Sequence, residues 1–91
     1  MYLHAGNNFI VNTDEIIGIF DMDNTTVSRL GKGFLARAQS DGEIINAAET
    51  LPKSYIVSNR NGRTKVFISS ISSRVLATRA KTAKNMIQDV I

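Results

Sequence analysis

Ser54-Tyr55-Ile56-Val57-Ser58-Asn59-Arg60-Asn61-Gly62-Arg63-Thr64-Lys65-Val66-Phe67-Ile68-Ser69 is the stretch on which the fold turns. Its flanks, Ser54–Ser58 and Thr64–Ser69, are β-branched and aromatic, which suits a pleated, half-buried surface. Between them lies Asn61-Gly62, the pair that most readily takes the two positive φ angles of a tight hairpin turn. The stretch therefore predicts an antiparallel hairpin. Arg60, Arg63 and Lys65 cluster on it.

Working outward, Tyr2–Ala5 and Phe9–Val11 read as two short strands joined by Gly6-Asn7-Asn8. Glu15–Asp21 is a continuous apolar run that reads as a strand buried on both faces. Asp23-Asn24-Thr25-Thr26 is rich in turn and capping residues. A helix is predicted from about Ser28 to Ser40, with Leu30, Phe34, Leu35 and Ala38 inward and Gly42 as its left-handed cap. Ile44-Ile45 is a minimal strand, and Pro52 marks a break. Ser72 or Ser73 caps a final helix with Leu76, Ala80, Ala83, Ile87 and Val90 at helical spacing. Strands, helix, strands, helix is an α+β order: a small, mostly antiparallel sheet with two helices. Ninety-one residues make one domain, 1–91, with 81–91 a helical extension carrying the additional apolar residues Met86 and Ile91.

Charge is divided unevenly. From Leu51 to Ile91 the cations Lys53, Arg60, Arg63, Lys65, Arg74, Arg79, Lys81 and Lys84 face only Asp89, whereas residues 1–50 are net acidic. Such asymmetry points to a polyanion partner, although solvated surface accounts for Lys and Arg equally well. The absence of cysteine excludes disulfides and thiolate metal sites, and His4 is the single imidazole. No cofactor is expected. Met1–Gly6 is unlike a signal peptide and no apolar stretch matches a membrane span, so the expected location is cytoplasmic, without a membrane partner. A small core without staples favours homo-oligomerisation.

Ile19-Phe20-Asp21-Met22-Asp23-Asn24-Thr25-Thr26 resembles the first motif of haloacid-dehalogenase-type phosphatases, in which one Asp attacks phosphorus and the next acts as acid and base. That chemistry also needs a later Lys and a downstream acidic pair. Asp41, Glu43, Glu49 and Asp89 form no such pair. Asp21 and Asp23 are therefore read as terminating a strand and capping a turn. His4, in an apolar strand, is read as a packed or hydrogen-bonded core residue rather than a base.

Met1-Tyr2-Leu3-His4, Ile44-Ile45-Asn46, Leu51-Pro52-Lys53-Ser54 and Val66-Phe67-Ile68-Ser69, taken in that order, resemble the Rem family of bacterial extracellular-matrix (biofilm) regulators, and within it the RemB-like branch. The resemblance spans roughly residues 2–80. It implies a LytTR-like fold and a ring-forming, DNA-associated, non-enzymatic transcriptional regulator. The arginines that the RemA-like branch uses for DNA match Glu15, Leu51 and Pro52 here, with Lys53 the nearest cation. DNA contact is accordingly expected at Lys53, Arg60, Arg63 and Lys65, with double-stranded DNA as partner. The alternative is an oligomeric protein-interaction module of the same fold without DNA binding.

Overall fold

A computed structural model describes residues 1–23 and 29–90; the side chains of Arg29, Leu30 and residues 83–90 lie outside the description. The expected turn through Asn24-Thr25-Thr26, the helix start at Ser28, and the packing of Leu30, Ala83, Met86, Ile87, Val90 and Ile91 therefore fall outside the described residues. The strands are β1 (Tyr2–Gly6), β2 (Phe9–Asn12), β3 (Ile16–Asp21), β4 (Ile44–Asn46), β5 (Ser54–Arg60) and β6 (Arg63–Ser69). The helices are α1 (Arg29–Ser40) and α2 (Ser73–Val90). A 3-10 turn, Thr13–Glu15, joins β2 to β3.

β1 and β2 form a two-stranded antiparallel sheet, and the other four make a second sheet in the order β3-β5-β6-β4. Pairing is antiparallel except between β4 and β6, which run parallel. The α+β class and the mostly antiparallel pairing agree with the sequence reading. The predicted hairpin is β5–β6, in register from Ser54↔Ser69 to Arg60↔Arg63. Asn61 and Gly62 have φ of 53° and 81°, the two left-handed residues that a type I′ turn demands.

Strand alternation divides the larger sheet into two faces. One face carries Ile56 and Phe67 and packs on Leu3, Ala5 and Val11 of the amino-terminal hairpin and on Leu76 of α2. The opposite face carries Tyr55, Val57 and Val66 beneath Leu35 and Ala38 of α1. Ile56 and Leu76 are fully buried, and each such side chain contributes about 1.5–3 kcal/mol relative to exposure. Ser72 caps α2 by accepting a hydrogen bond from the Val75 amide at 3.3 Å. Gly42, φ 71°, ends the turn after α1 as its composition predicts.

One expectation needs correction and another is met in part. β3 is an edge strand rather than one buried on both faces: Ile17 is 65% exposed and Phe20 43%. Its apolar run reads the same in sequence because the pattern cannot say whether a neighbour lies beyond the strand. Phe34 faces inward from α1 but is only partly covered, 38% exposed. It stacks on Tyr55 with centroids 6.1 Å apart, and Phe20 stacks on Tyr55 at 5.2 Å.

Candidate nucleic-acid interface

The hairpin places Arg60, Arg63 and Lys65 by register. Arg60 lies directly opposite Arg63, and Lys65 is opposite Ser58. Because side chains alternate, all three cations project from the face that carries Ile56 and Phe67, the face covered further along by the amino-terminal hairpin. Directly opposed residues on paired strands have Cβ atoms about 5 Å apart, and like charges placed so destabilise the pair. A cross-strand Arg–Arg pair is thus held against its own repulsion.

The amino-terminal hairpin does not cover this end of the sheet, and a cleft of about 850 Å³ lies between the two. Arg60, Arg63, Lys65 and Asn61 form one wall, Tyr2, Ile10 and Asn12 line it from the amino-terminal hairpin, and Phe67 and Val11 are buried beneath. Glu15 also enters it. The Asn12 side chain accepts a hydrogen bond from the Asp14 amide at 3.0 Å, and the Thr13 amide and hydroxyl both donate to the Met1 carbonyl. Those bonds fix the 3-10 turn and hold Glu15 where its Oε2 is 3.5 Å from Nε of Arg60. Arg60 is 78% exposed and Glu15 26%, so water screens the pair strongly. The turn itself is held by Asn59, whose side-chain oxygen accepts from the Gly62 amide at 3.2 Å and whose amide donates to Thr64 at 3.4 Å.

Lys53 is not part of this group. It is exposed at the start of β5, where its amide donates to Ser69 and its carbonyl accepts from Met22, both at 2.9 Å. Seven strand residues separate it from the hairpin tip, a span of about 23 Å at 3.3 Å per residue. The structure thus brings together three of the four expected cations. Sequence reasoning missed Tyr2, Ile10 and Glu15 as neighbours of that group. A period-2 reading of the first strand does put Tyr2 opposite in direction to Leu3, but nothing local reveals which later strand it faces.

The other candidates lie away from the cleft. Asp21 Oδ1 accepts from the Asp23 amide at 2.8 Å, the Asx-turn geometry of a strand-terminating residue. His4 is not the core residue the sequence suggests: it is exposed on the outward face of β1, and its Nε2–H donates to the Asn7 carbonyl at 2.7 Å. Among the described residues no group of three His, Cys, Asp or Glu side chains is arranged to hold a metal, and no helix is long and apolar enough to cross a membrane.

The α+β fold brings Arg60, Arg63 and Lys65 to one cleft, at the opposite end of β5 from the Asp21–Asp23 turn. Comparison with known proteins narrows the class. The family model for extracellular matrix regulatory protein A-like proteins matches residues 2–80. The chain is also 32% identical over 81 residues to extracellular matrix regulatory protein B of Bacillus subtilis (strain 168), covering 89% of this chain and 91% of that protein. The chain belongs to this family of extracellular matrix regulatory proteins, as the order of its segments predicts.

Proposed function

We propose that this protein is a non-enzymatic regulator of extracellular-matrix (biofilm) genes that acts as a cyclic homo-oligomer and binds double-stranded DNA through its phosphates. The observation that carries the reading is the convergence of Arg60, Arg63 and Lys65 on one face at the cleft. Arg forks match phosphate oxygens bidentately, and an anion between Arg60 and Arg63 relieves their mutual repulsion. Lys53 reaches a separate phosphate from the far end of the hairpin. Phosphate contacts fix position without reading bases, so little sequence preference is expected from these four residues.

Membership of a matrix-regulator family supports the biological setting. Repetition of a few weak contacts around an oligomer raises effective concentration and converts them into useful affinity. The test is a titration of unrelated duplexes at two salt concentrations, with the wild type and the Arg60→Ala/Arg63→Ala protein. The wild type is expected to lose about 0.9 logarithmic units of affinity per phosphate contact per decade of salt. The double variant is expected to bind every duplex more weakly and with a shallower slope.

Glu15 within the cationic cleft and Leu51, 77% exposed, favour a second reading. In it the same fold serves as an oligomeric interaction module without DNA. Wild-type protein that fails to retain any duplex at low salt would support that reading instead.

A further inference from the structure

Tyr2 and Ile10 are 65% and 58% exposed, yet they line the same cleft as Arg60, Arg63 and Lys65. Phosphate contacts with a duplex use the cations and leave both apolar side chains unexplained. A purely apolar ligand would leave the cations unanswered. The cleft, about 850 Å³, has the volume of a small-molecule site but is polar and open to solvent on one side, and with Glu15 opposing three cations it retains two positive charges in excess.

We infer that this cleft binds a nucleoside phosphate, with the phosphate on Arg60, Arg63 and Lys65 and the base on the Tyr2 ring beside Ile10. An aromatic ring that stacks a base beside a cationic wall that holds phosphate is how proteins grip the unpaired nucleotides of single strands, and the same two contacts are available to a free nucleotide. Asn12 and Asn61, also at the cleft, supply amide donors and acceptors for polar edges of the base or sugar. The Glu15 carboxylate disfavours a ligand of higher negative charge and, by occupying Arg60, leaves Arg63 and Lys65 as the first phosphate contacts. Because DNA and nucleotide share cations, a bound nucleotide displaces duplex from this surface. The inference stands on the cleft itself and not on the DNA reading.

The experiment uses the full chain at low salt, without DNA. Inorganic phosphate, adenosine and guanosine, and the corresponding 5′-monophosphates are titrated and followed by calorimetry and amide chemical shifts. The monophosphates are expected to bind about tenfold or more tightly than either phosphate or nucleoside alone, as base stacking on an aromatic ring implies. Tyr2→Ala should erase that advantage and leave phosphate binding unchanged, while Tyr2→Phe keeps it. Lys65→Ala should weaken phosphate and monophosphate alike. Equal affinity for phosphate and monophosphate overturns the proposal, as does a Tyr2→Ala protein with wild-type nucleotide affinity. A Tyr2→Ala protein that loses mass in light scattering while wild-type protein ignores nucleotide overturns it too, and gives the rim to a second copy. Nucleotide binding by a protein that retains no duplex would sink the DNA reading alone.

Discussion

Gly6 and Gly62 both occupy backbone that side chains rarely adopt, at φ 130° and 81°, but they differ in what surrounds them. A Cβ on Gly6 would lie 2.5 Å from the Ala47 carbonyl oxygen, whereas nothing lies within 4 Å of one on Gly62. Gly62→Ala should therefore cost only left-handed strain, about 1–2 kcal/mol. Gly6→Ala adds a backbone collision and should cost about 3 kcal/mol or more. Urea unfolding of the two variants checks the ranking; equal losses would mean that β1 moves freely away from Ala47. The turn glycine is legible in the sequence because Asn61-Gly62 is a local signal. The Gly6 constraint is not, because Ala47 is brought there only by the fold. Glu15 poses the same problem at the cleft. Glu15→Gln should shift unfolding by less than about 0.5 kcal/mol, since the Arg60 pair is solvent-screened. If Arg60 contacts phosphate, the variant should bind duplex a few-fold more tightly at low salt, and unchanged affinity would remove Arg60 from the interface.

At the scale of elements, local chemistry explains the successes and pairing explains the failures. Asn61-Gly62 specifies β5–β6, and the serines before the last helix specify its start. Ser72→Ala should accordingly destabilise the protein by about 1 kcal/mol, the usual worth of an N-cap, in the same urea measurement. A loss indistinguishable from zero would mean that water satisfies the Val75 amide equally well. The pairing of β4 with β6 is parallel and skips β5, so no turn chemistry in the sequence announces it. The edge position of β3 is hidden for a related reason. Phe20 looks like core in the sequence, yet its ring lies over Gly18 and against Tyr55, with the closest approach 2.7 Å from an ideal Cβ on that glycine. Gly18 thus gives the ring its seat. The cleft joins β1–β2 to the β5–β6 tip across some fifty residues of sequence, which is why the three cations could be singled out while their apolar neighbours could not.

For the whole molecule the question is what covers β3. As the first strand of the β3-β5-β6-β4 sheet it presents an edge, and edges with exposed apolar side chains invite pairing with another chain. Ile17 is 65% exposed on that edge, at the irregularity where the pairing with β5 shifts between Ile16 and Gly18. If subunits of the proposed assembly meet there, a charge at this position should separate them without disturbing the fold, because the Ile17 side chain contributes little to the core. Ile17→Lys is the informative substitution: it adds a cation to a protein proposed to bind a polyanion, so weaker DNA binding cannot be ascribed to lost charge. Light scattering should show wild-type protein as a stable oligomer at micromolar concentration and the variant at lower mass, with unchanged circular dichroism. Linked contacts act through effective concentration, so dispersal should flatten the salt dependence of duplex binding toward that of one subunit with its few phosphate contacts. A variant of full mass places the subunit contact elsewhere on the surface. A dispersed variant that keeps the wild-type affinity and slope would show that each subunit binds duplex independently, and the argument from multiplied weak contacts would then fail even if every cation at the cleft touches phosphate.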